Sequence, residues 1–81
     1  MSTIYVTDDG RRLKAARVYQ LVEMLRAESW MGRSGSKREF MREVAARARQ
    51  TTGHRVRSNN EVNFVRDLLK VGLLKKETGN A

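Results

Sequence analysis

Apolar residues recur along this chain in two rhythms, one tight and one helical. Thr3-Ile4-Tyr5-Val6-Thr7 is rich in β-branched and aromatic residues and runs into Asp8-Asp9-Gly10, so it reads as a short strand ending in a turn. Beyond it, Ala15, Val18, Leu21, Val22 and Leu25 follow the i, i+3, i+4, i+7 spacing of a buried helix face. That spacing predicts a first helix from about Arg11 or Leu13 to Glu28, capped by Asp8 or Asp9. Ser29 to Gly35 holds two glycines and breaks the pattern.

Ser36-Lys37-Arg38-Glu39 then has the form of a capping box, in which the hydroxyl accepts from the amide three residues on and the glutamate reaches back. It opens a second helix running to about Thr52, with Phe40, Met41, Val44, Ala45 and Ala48 on one face and Gly53 closing it. Ser58-Asn59-Asn60-Glu61 is a second capping box, opening a third helix with the stripe Val62, Val65, Leu68 and Leu69. Gly72 stands at the C′ position, where Leu73 folds back onto Leu68 in a Schellman close. The expected fold is mainly α, a three-helix core in which residues 73–76 either stand as a separate basic strand after the third helix or pair with residues 3–7 in a small two-stranded sheet.

Composition narrows the picture. There is no proline, no internal repeat and no low-complexity linker, so residues 1–81 read as one domain with fraying at Met1–Ser2 and Thr78–Ala81. A chain this short buries only ~60% of its unfolded surface, so one core carries almost all the stability. The absence of cysteine excludes a disulfide staple and a cysteine zinc site. No membrane span, signal peptide or lipidation motif is visible, which makes cytoplasmic residence the expectation.

Charge points to the partner. Seventeen Lys+Arg against nine Asp+Glu give a formal charge of +8, an excess that favours polyphosphate partners. With Val62, Val65, Leu68 and Leu69 inward, the opposite face of the third helix carries Asn59, Asn60, Asn63, Arg66, Asp67 and Lys70. Asparagine pairs bidentately with an adenine edge in the major groove and arginine with guanine. The candidate base-reading residues are therefore Ser58, Asn59, Asn60, Asn63 and Arg66. Candidate phosphate contacts are Arg33, Lys37, Arg38, Arg55, Arg57, Lys70, Lys75 and Lys76. Arg11, Arg12, Lys14 and Arg17 form a separate basic cluster, and Arg42, Arg47 and Arg49 read as ordinary solvated helix charges.

The third helix together with the stretch Leu68-Leu69-Lys70-Val71-Gly72-Leu73-Leu74-Lys75-Lys76-Glu77 resembles winged helix-turn-helix DNA-binding domains over residues 36–77. The resemblance implies a recognition helix in the major groove, a supporting second helix and a basic strand or wing beside it. Two features depart from that pattern: the connection Gly53 to Arg57 is longer than the tight turn, and only five residues follow Lys76, too few for a two-stranded wing. The implied function is sequence-specific binding of double-stranded DNA by a small transcriptional regulator or recombination accessory factor, of a kind typical of phages and plasmids. Specific readout favours a homodimer on two half-sites.

The alternative is a basic module that docks on a host protein, such as the transcription machinery, with Trp30 and Met31 as partner-contact candidates. Structured RNA is a third candidate, but no RNA-module motif is visible and the aromatic residues form no spaced stacking platform. Catalysis is not expected: the single histidine, His54, sits among arginines, and residues 31–35 lack P-loop spacing. Glu39, Glu43 and His54 are the only combination resembling metal ligands, and neither a metal nor a cofactor is expected.

Overall fold

A computed structural model describes residues 2–28 and 36–77. Its elements run β1 (Thr3–Thr7), β2 (Arg12–Ala15), α1 (Val18–Ala27), α2 (Lys37–Thr52), α3 (Glu61–Val71) and β3 (Leu74–Glu77). The architecture is three helices against a three-stranded antiparallel sheet of order β2-β1-β3. It is mixed rather than mainly α, because a hairpin occupies the place of the expected first helical turns.

The hairpin follows from the turn and from a period of two. Along Arg12-Leu13-Lys14-Ala15 the side chains alternate exposed, buried, exposed, buried. Asp8-Asp9-Gly10 reverses the chain, with Gly10 at φ +92° donating its amide to Thr7 O at 3.0 Å and Thr7 N donating to Arg11 O at 2.9 Å. This is the three-residue hairpin loop in which the last position requires a left-handed conformation. Asp8 and Asp9 therefore belong to the hairpin turn and not to a helix cap; the Thr7 hydroxyl donates to Asp9. Helix α1 begins only at Val18, where Gln20 Oε1 accepts from the backbone amides of Ala16 at 2.8 Å and Arg17 at 3.3 Å.

The chain ends meet as the alternating pattern of β1 suggests. Tyr5 lies opposite both Leu13 and Lys76, and Thr7 opposite Leu74. Tyr5, Leu13, Ala15, Thr7 and Leu74 all point inward and are buried.

Helices α2 and α3 end where their glycines dictate. Ser36 Oγ caps α2 by accepting from Glu39 N at 3.1 Å, and Gly53 closes it at φ +77°. At the end of α3, Leu73 N donates to Leu68 O at 3.1 Å and Gly72 N to Leu69 O at 3.3 Å, with Gly72 at φ +89°. That paired arrangement is the Schellman close.

One apolar cluster joins all six elements. Its centre is an edge-to-face pair, Phe40 of α2 and Phe64 of α3, with ring centroids 6.5 Å apart at 68°. Leu21, Val22 and Leu25 of α1 and Val44, Ala48, Val65 and Leu68 fill the space around it. Phe64 replaces Val62 as the inward residue of α3: the helix is rolled so that Val62 is 42% exposed while Phe64 is fully buried. The larger ring removes more apolar area from water than a valine does, which decides the orientation of the helix. The same roll brings Asp67, expected on the polar face, down to 9% exposure.

Candidate nucleic-acid interface

The connection between α2 and α3 is pinned at three points. Thr52 Oγ1 accepts from His54 N at 3.1 Å, the Val56 side chain is buried in the core, and Arg57 N donates to Asp67 Oδ2 at 3.0 Å. A segment longer than a tight turn is thus held in one course, and that course exposes Arg55. Asp67 also receives the Arg57 side chain, Nε to Oδ2 at 2.9 Å and Nη2 to Oδ1 at 3.0 Å. The Arg57 hydrogen bonds, opposed by burial, lower the Asp67 pKa to about 2.

Between this pinned connection and one face of α2 lies an open groove of about 760 Å3. Five arginines line it: Arg38, Arg42, Arg49, Arg55 and Arg57, with Ser58 and Asn59 at its α3 end. Arg38, Arg42 and Arg49, together with Ala45 and Ala46, recur at helical spacing along α2, and the rise from Arg38 to Arg49 is about 16 Å. The two alanines keep the floor low, so guanidinium groups stand up along it. Among the described residues no carboxylate lines the groove. Arg38, Arg42, Arg49 and Arg55 are exposed and make no ion pair among the described residues, whereas Arg57 carries its Asp67 partner.

Where the groove ends, the solvent face of α3 begins. Val62, Asn63, Arg66 and Lys70 recur at i, i+1, i+4 and i+8 along it, with Asn59 just before the N-cap, all exposed except the half-buried Asn63. Asn59 belongs to both surfaces, so arginine groove and helix face are continuous. No protein-family model, curated protein or solved structure matches the chain.

The expected base-reading residues have different surroundings. Asn60 is the N-cap of α3: its Oδ1 accepts from Asn63 N at 2.8 Å, a role assigned from sequence to Ser58. Ser58 is half-buried beside the groove. Asn63 Nδ2 donates to Asn59 Oδ1 at 3.4 Å, and Arg66 is exposed at the middle of the face.

The expected phosphate contacts also divide. Arg38 and Arg55 line the groove, while Lys70 lies with His54, Arg55 and Asp67 around a second hollow on the other side of the connection. Lys37 has carboxylate partners at Glu61, 2.7 Å away, and Glu23, 3.7 Å away, so its ammonium links the start of α2 to both α1 and α3. Those two carboxylates raise the Lys37 pKa, the Glu61 hydrogen bond contributing most, and Lys37 lowers that of Glu61 in turn. Lys75 and Lys76 are exposed on the edge strand β3, away from the groove-lining set. Arg33, Trp30 and Met31 lie outside the described residues.

Arg42 and Arg49, which the sequence pattern presents as solvated helix charges, line the groove beside Arg38. The signal was present: with Phe40, Met41, Val44 and Ala48 inward, the positions 38, 42, 45, 46 and 49 share a different face. What was missing was the connection that lays Arg55 and Arg57 opposite that face.

In the first basic cluster, Arg11 pairs with Asp9 at 3.1 Å and Glu28 at 2.9 Å, and Arg12 pairs with Glu77. Among the described residues no three His, Cys, Asp or Glu side chains converge as a metal site, and no helix is long and apolar enough to cross a membrane.

Proposed function

We propose that this chain binds double-stranded DNA, with the exposed face of α3 in the major groove and the arginines of α2 on the neighbouring phosphates. The observation that carries this reading is the groove lined by Arg38, Arg42, Arg49, Arg55 and Arg57 with no carboxylate among its described lining residues. Four of these guanidinium groups, those of Arg38, Arg42, Arg49 and Arg55, have no ion-pair partner among the described residues, an arrangement costly through mutual repulsion unless an anion lies among them, and Arg matches phosphate oxygens bidentately. A polyanion whose charges repeat along a line fits a row spread over about 16 Å better than a compact anion does.

Continuity with α3 favours a duplex. Phosphate contacts set position while base-edge contacts carry sequence information, and the two surfaces meet at Asn59. The likeness to winged helices enters in altered form. In those domains a hairpin follows the recognition helix; here β3 follows α3 and pairs with β1, so the strands beyond it come from the beginning of the chain. In this reading the β1–β2 hairpin stands where a wing would. Sequence-specific binding of this kind serves transcriptional regulation or recombination, and a homodimer would double the readout.

The test is binding of the purified protein to a random duplex pool at two salt concentrations, with sequencing of the bound fraction. Four to six phosphate contacts give a log–log salt slope of about −4 to −5, and base readout gives an enriched motif that survives the higher salt. A slope near zero without enrichment would refute the reading and favour docking on a protein.

A further inference from the structure

Val62 is one of two large apolar side chains strongly exposed among the described residues. The other, Tyr19, lies on α1 beside Lys14 and Met24. Val62 instead stands on the α3 face that the proposed function assigns to the major groove, in the first turn and one turn before Arg66. The exposed positions nearest it along this face of α3 are polar or charged, Arg66 and Lys70, with the half-buried Asn63 beside it. A β-branched residue on the solvent side of a helix gains nothing in helix propensity. Its place in the core has been taken by Phe64.

The major groove of DNA offers one apolar group, the C5-methyl of thymine, and apolar side chains meet it there. The paired adenine presents the acceptor and donor that suit an asparagine amide. On α3 the two side-chain types are neighbours, Val62 beside Asn63, and Asn59 stands just before the N-cap Asn60. Building on the DNA-binding reading, we infer that Val62 is a specificity-determining residue that contacts a thymine methyl, so that the recognised site contains A·T pairs read from the major groove. Asn59 and Asn63 flank that contact and supply the amides for adjacent adenine, while Arg66 lies one turn further along the same face.

The experiment uses the duplex enriched from the random pool, resynthesised with deoxyuridine in place of each thymidine in turn. The exchange removes one methyl group and leaves base pairing and the minor groove unchanged. At one thymidine position the native protein should lose about fourfold in affinity, the value of one buried methyl group. V62A should show no loss at that position, because the side chain that met the methyl is gone. R42A should weaken all these duplexes equally and retain the methyl preference. Val62 is exposed, so V62A retains the core that holds the fold.

An enriched site without thymine, tolerance of deoxyuridine at every position, or a methyl preference persisting in V62A overturns the inference and leaves DNA binding standing. Failure to enrich any site overturns the sequence-specific reading on which the inference rests, and the inference with it.

Discussion

Arg57 and Asp67, ten residues apart, are joined by a two-pronged side-chain bridge, and the Arg57 backbone amide donates to the same carboxylate. The pair ties the entrance of α3 to its own second turn. It also divides the groove arginines into two kinds. Arg57 is neutralised by its partner and fixes the connection, while Arg38, Arg42, Arg49 and Arg55 present charge with no described partner.

Removing the charge of Asp67 should therefore loosen the connection without emptying the core. D67N retains the size of the side chain but loses the charge-assisted bonds. Hydrogen bonds to charged groups contribute about 1.5–3 kcal/mol, so urea denaturation should register a loss of ~2 kcal/mol. An unchanged midpoint would mean that the bridge is incidental to stability.

The same pair sets an acid limit. Asp67 has its pKa lowered from 3.8 to about 2 in the folded chain, chiefly by Arg57, so the unfolded chain holds the proton more tightly. Its contribution is complete above about pH 4 and disappears as the pH falls through 2, where both states are protonated. Native protein should lose stability steeply between those values, and D67N should show a shallower fall over the same window. Denaturant midpoints measured across that range distinguish the two curves.

Asn60 separates a structural role from a reading role. As the N-cap of α3 it accepts from Asn63 N, so N60A should cost about 1 kcal/mol, whereas S58A should leave the helix cap intact. Thermal denaturation checks both. If S58A proved the more destabilising, the cap would have to begin earlier than Asn60.

How far the fold was legible in sequence depended on whether local chemistry decided the outcome. Ser36 with Glu39, Gly53, and Gly72 with Leu73 satisfy helix ends using near neighbours, and each stands in the structure as the sequence predicts. The pairing of residues 3–7 with the strand after Gly72 was legible only as one of two alternatives, because local sequence does not tell a free basic strand from one that pairs with a distant segment. The first helix was drawn too long since Ala15 and Val18 happen to stand three apart, which let a strand residue pass as a helical one. The roll of α3 was illegible for another reason. Val62 and Phe64 are both apolar, and only packing against Phe40 decides which faces inward. The groove was the least legible of all, as it depends on Val56 and Asp67 steering the connection past α2.

The groove arginines supply the last expectation. Arg42 and Arg49 are exposed on α2, so R42A and R49A should leave thermal stability within about 0.5 kcal/mol of the native value. If each meets one phosphate, each substitution should make the log–log salt slope shallower by about 1 and weaken binding to all duplex sequences alike. Arg47, also exposed on α2 but absent from the groove lining, provides the control: R47A removes the same charge and should change the slope less. Equal effects from all three would mean that net charge alone attracts the duplex. A larger effect at positions 42 and 49 than at 47 would place the phosphates in the groove, because only a bound geometry distinguishes arginines that share one helix and one charge.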